Sequence, residues 1–148
     1  DKTLPMMHGA FVVKRAIIQR YPYPDLSHAE DIPVFAWLIG NTNPQVIEEV
    51  LVKIHKHANS RRHNSSAAIE AGMQLVDTLF DSKYLSSEYL DYKDWYKAYR
   101  VSSLFRTCYA ANDYQQARKL YTELFKLSPR RALRWKTLRK LIRMVFKG

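Results

Sequence analysis

The sequence has one cysteine, Cys108. A lone thiol can form neither an intramolecular disulfide nor a cysteine-rich zinc site. A disulfide-stapled secreted scaffold is therefore excluded, and a cytoplasmic chain is the expectation. No apolar run approaches the roughly 18 residues of a membrane-spanning helix. Asp1-Lys2-Thr3-Leu4-Pro5 has neither the basic start nor the apolar stretch of a signal peptide. No Gly-rich phosphate loop is present, and no Asp-x-Asp pair occurs; Asp91-Tyr92-Lys93-Asp94 has the wrong spacing. Acid is missing from one whole region. Residues 130–148 hold Arg130, Arg131, Arg134, Lys136, Arg139, Lys140, Arg143 and Lys147 without a single Asp or Glu.

That region accounts for eight of the net +10 charges, so the basicity belongs to the tail and the remainder is close to neutral. With 148 residues, 47% of them hydrophobic, the chain can bury a core of its own. Residues 8–14 read as a glycine-led strand, and 45–55, with Val46, Ile47, Val50, Val52 and Ile54, as a second. Between them, a short helix is predicted at 14–20. The prolines of Tyr21-Pro22-Tyr23-Pro24 then demand a loop. Ser27, with Glu30 three residues on, has the form of a capping box opening a helix that runs to about Leu38. Residues 56–66 are polar and basic, hence a loop.

Beyond residue 66 the periodicity is helical. Ala68, Ala71, Leu75 and Leu79 mark one helix, and Tyr92, Trp95, Tyr96, Tyr99, Leu104 and Phe105 a second, with Ser87 as its cap. Asn112-Asp113 marks a turn. Ala117, Leu120, Tyr121, Leu124 and Phe125 mark a third helix, ended by Ser128-Pro129, and the basic tail makes a fourth. Leu104 to Pro129 is similar to a single tetratricopeptide hairpin, which cannot form an array alone. The expected class is α+β, mainly α, with two or so short strands and a helical tail of about four helices. Three divisions follow: 1–65, 66–129 and 130–148.

Four pieces within residues 8–63 carry a resemblance. His8-Gly9-Ala10-Phe11-Val12-Val13-Lys14-Arg15 is a small-residue strand with a basic pair. Tyr21-Pro22-Tyr23-Pro24 is the loop after it. His28-Ala29-Glu30-Asp31-Ile32-Pro33 is a Glu-Asp motif at a helix start. Ile54-His55-Lys56-His57 leads to Ser60-Arg61-Arg62-His63-Asn64. In this order they resemble the acceptor-side half of inverting, family-two glycosyltransferases of the GT-A fold, closest to the bacterial enzymes that build lipopolysaccharide and other surface glycans. The resemblance implies transfer from a nucleotide-sugar donor to a glycan or glycolipid acceptor. It assigns the general base to Asp31, which would take the acceptor's hydroxyl proton, and gives Glu30 an orienting role. His28, Arg61, Arg62 and His63 would contact substrate, the arginines meeting diphosphate oxygens. A divalent Mg or Mn would neutralise the leaving group, with His57 as a ligand and His55 and His63 as runners-up. The family's Asp-x-Asp and nucleotide-binding half are missing, so this chain alone is expected to be inactive. The plain alternative for Glu30 and Asp31 is that acids in a first turn complement the helix dipole; for the loop, that its His and Arg simply face water.

In the tail, Trp135, Leu138, Leu141, Ile142, Val145 and Phe146 fall on one side of a helical wheel, and Lys136, Arg139, Lys140, Arg143 and Lys147 on the other. This is the pattern of an interfacial helix on an anionic membrane. It would place the chain peripherally at the inner face of the cell membrane, with Trp135 at headgroup level. The alternative is a helix whose apolar side packs on the domain. Two rival functions stand beside glycosyl transfer: a helical protein-interaction module, and a basic nucleic-acid binder, the weakest because no recognised binding fold accompanies the charge.

Overall fold

A computed structural model describes residues 10–27, 29–53, 55, 65–81 and 83–147. Among them are seven α-helices: α1 (Arg15–Ile18), α2 (Asp31–Asn41), α3 (Ser65–Leu79), α4 (Lys93–Ala110), α5 (Tyr114–Leu127), α6 (Pro129–Ala132) and α7 (Trp135–Lys147). A 3-10 helix, Ser87–Tyr92, leads into α4.

No strand occurs among the described residues, so the expected α+β class is corrected to a mainly helical one. Residues 11–14 have no regular secondary structure, and 43–53 run irregularly. In the second segment Val46, Ile47, Val50, Leu51 and Val52 are all exposed, Val50 by 94%. The reason for the error is physical. β-branched composition reports that side chains suit a half-buried pleated surface, and supplies no partner for the backbone. The ladder needs another strand for its N–H and C=O groups.

The helical half assembles around α4 and α5. Asn112 adopts φ 61° between them, in the left-handed region that Asn tolerates better than most residues. The Asp113 side chain then caps α5, accepting from the Gln116 N–H at 3.1 Å. With the two helices folded back, Val101, Leu104, Phe105 and Cys108 of α4 bury against Ala117, Leu120 and Leu124 of α5; Ala132 and Met144 complete the cluster. Cys108 is wholly buried there, and burial, followed by the nearby charge of Asp113, pushes its thiol pKa up. On the other flank α3 comes very close to α4. A Cβ at Gly72 would stand 2.5 Å from the Leu104 Cδ1, so the hydrogen of glycine sets the separation.

The tail is two helices, broken at Leu133-Arg134. Docking of α7 differs from the helical-wheel expectation. Its anchor is Met144, fully buried, with Leu141 packed beside it. Arg118 of α5 donates from Nη2 to the Met144 carbonyl at 2.9 Å, satisfying one of the acceptors that a helix C-terminus leaves open. Lys140 lies 4.4 Å above the Tyr109 ring of α4. Both polar contacts pull α7 onto its Leu141–Met144 edge, and Trp135 and Ile142 remain exposed.

Candidate functional site around the start of α2

Helix α2 is held from two sides. Val34, Phe35, Trp37 and Leu38 are buried with Tyr84, and Phe11, Val13, Ile17, Ile18 and Tyr21 close over them. Phe11 meets Phe35 edge-on at 4.8 Å, and Tyr21 stacks on Trp37 at 3.5 Å. On the opposite side Ile32 and Ala36 pack against Val76, Leu79 and Phe80 at the end of α3. Residues immediately after Asp31 are therefore packed on two sides, which anchors the helix that Asp31 opens.

The helix does not begin as the Ser27–Glu30 capping box predicts. Its N-cap is Glu30, without a side-chain capping bond. Ala29 turns the chain with φ 63°, a region costly for a residue with a Cβ, and its carbonyl accepts from the Ile32 N–H at 3.1 Å. This reversal separates Ser27 from the helix start. The loop carrying Tyr23 lies near enough for the two acids to act on its phenol. The Tyr23 phenol pKa is raised, first by burial and then by the charges of Asp31 and Glu30. Exposed Tyr23 thus lies within electrostatic reach of half-buried Glu30 and Asp31. The resemblance includes Tyr23 in its loop piece but gives it no site role. The paired prolines around it were the available signal, since they stiffen the loop that presents it.

The other expected site residues do not join this group within the described structure. His28, His57, Arg61, Arg62 and His63 lie outside the described residues. His55 is described and exposed. Among the described residues no three His, Cys, Asp or Glu side chains come together in a metal-binding group.

A second polar feature lies on α4. Arg100 has Nε and Nη2 buried with no hydrogen-bond partner among the described residues. Burial pushes its guanidinium pKa down, while Tyr96 and Tyr99 beside it pull it back up. Nearby, Trp95 and Tyr99 lie parallel within 4° at 5.9 Å, and the Arg131 guanidinium sits 4.9 Å from the Trp95 ring, within cation–π range.

No protein-family model, curated protein or solved structure matches the chain. The site is thus interpretable through its chemistry alone. It offers a carboxylate at the head of a packed helix, a second acid next to it in sequence and a phenol whose pKa is raised by burial and by those acids. That is equipment for accepting a proton from a hydroxyl group and for hydrogen-bonding a polyol.

No helix among the described residues is long and apolar enough to cross a membrane.

Proposed function

We propose that the chain is the acceptor-side part of an inverting glycosyltransferase of the family-two type, acting on a surface-glycan acceptor with Asp31 as general base. The observation that carries the reading is the placement of Glu30-Asp31 at the head of a helix clamped on both faces, beside the Tyr23 hydroxyl. General-base catalysis requires a carboxylate held within hydrogen-bond reach of the attacking oxygen, and a packed helix holds it better than a loop does. In this reading Asp31 removes the acceptor hydroxyl proton as the oxygen attacks the anomeric carbon. Glu30 and Tyr23 orient the acceptor. Recognition of the nucleotide-sugar and its divalent metal belongs to sequence beyond this chain together with His57, Arg61, Arg62 and His63.

The test is Asp31→Asn in the complete enzyme. The amide keeps shape and hydrogen bonding but accepts no proton, so turnover should fall by roughly 10²–10⁴-fold while nucleotide-sugar binding is unchanged. Glu30→Gln should act chiefly on acceptor affinity. More than half of the wild-type rate in Asp31→Asn would refute the assignment.

A further inference from the structure

The docking of α7 leaves a surface that neither the core nor the Asp31 group uses. At 100° per residue, Thr137, Lys140, Leu141 and Met144 share one side of α7, and all four are half-buried or buried, as is Leu138 next to them; Lys140, Leu141 and Met144 meet α4 and α5. Trp135, Arg139 and Ile142 follow one another along the opposite side. Trp135 is 67% and Ile142 41% exposed, and Leu133, just before the helix, is also exposed. Arg130, Arg134, Lys136, Arg139 and Arg143 are exposed around them, and no acid occurs from 129 to 148. The Arg131 guanidinium over Trp95 ties this region to exposed Trp95 and Tyr99 of α4.

We propose that this outward side of α7, with Leu133, Trp135 and Ile142 framed by Arg134, Lys136, Arg139 and Arg143, is a docking surface for an anionic lipid bilayer. Packing and membrane contact are thus not alternatives for this helix. One edge is fastened to the protein by Met144 and the Arg118 bond, and the other is presented to the headgroups. Charge complementarity selects the occupant. A strip of one sign suits a surface of the other sign extending in two dimensions. Indole at its edge belongs at headgroup depth, and cations beside apolar side chains are the composition of helices that lie in the interface. A nucleic-acid duplex would use the cations and leave Trp135 and Ile142 without a role.

The experiment is co-sedimentation of the full chain with vesicles of phosphatidylserine and phosphatidylcholine, beside vesicles of phosphatidylcholine alone. Binding is expected to the first and not the second, and to weaken as salt rises. Arg139→Gln with Arg143→Gln should lower partitioning by about 25-fold, at about fivefold per cation. Trp135→Ser with Ile142→Ser should also abolish most binding at low salt. Both pairs are exposed, so unchanged thermal melts are the control for folding. No sedimentation with phosphatidylserine vesicles at low salt overturns the proposal. So does full retention of binding by the Trp135→Ser, Ile142→Ser chain, which would mark simple attraction to any polyanion. Neither result touches the role of Asp31, which is read by turnover on soluble acceptor.

Discussion

Replacing Gly72 by alanine should destabilise the protein, against the ordinary rule for a helical glycine. Within α3, alanine gains about 1 kcal/mol over glycine from backbone entropy alone. Here the new methyl would stand 2.5 Å from the Leu104 Cδ1, 3.3 Å from Cδ2 and 3.4 Å from Cγ. Carbon atoms at rest sit about 3.5–4.0 Å apart, so the intrusion is close to an ångström and meets the whole end of the side chain. Leu104 is 2% exposed within the α4–α5 cluster and can yield only by leaving its rotamer or moving α3. Overpacking of that kind costs about 1–3 kcal/mol, giving a net loss of about 1 kcal/mol. Leu104→Ala alone should cost about 2–5 kcal/mol through the cavity it leaves. In that background Gly72→Ala should become stabilising by about 1–2 kcal/mol, because the methyl enters the vacated space and keeps its helix propensity. Urea unfolding followed by circular dichroism measures all four corners of this cycle. A Gly72→Ala protein that is more stable than wild type, with an additive double mutant, would show that α3 and α4 are not so close.

Two further expectations concern single polar groups. Asp113→Ala removes the acceptor for the Gln116 N–H and should lower stability by about 0.5–2 kcal/mol, whereas Asp113→Asn should recover most of it in the same melts. Arg100→Met replaces a guanidinium with two buried unpartnered nitrogens. Since an unmet buried donor costs about 1–3 kcal/mol, the melting temperature should hold or rise, and a drop of several degrees would show that Arg100 is satisfied in solution.

The parts of this fold that could be read in advance are those where local pattern and tertiary burial agree. Ala117, Leu120 and Leu124 recur at helical spacing and are the residues α5 buries, and Asn112-Asp113 makes the turn its residue types suit. The strands were misread because Val46, Ile47, Val50 and Val52 state a side-chain preference, while a strand exists only through the chain that pairs with it. The start of α2 was misplaced because Ala29 adopts a conformation that its residue type argues against, and that reversal displaces Ser27. In the tail, the helical wheel groups Trp135 and Ile142 with Leu141, yet Trp135 and Ile142 are exposed and the helix docks through Leu141 and Met144; that edge also depends on Arg118, twenty-six residues from Met144. Asp31 and Glu30 were legible as a pair. Tyr23 comes near them only through the loop geometry, and Arg100 left no trace in the pattern, since an arginine with covered nitrogens and a solvated one look alike in sequence.

The inaccessible sulfur of Cys108 makes the protein its own clock for internal motion. Being the sole thiol in the chain, it gives a thiol-specific reagent a single target, so no engineered label is required. In the closed hairpin it is shielded and disfavoured as thiolate by burial and Asp113, and the thiolate is the reactive form. Its rate of alkylation therefore counts how often α4 and α5 part, a sub-global opening distinct from fraying at the ends.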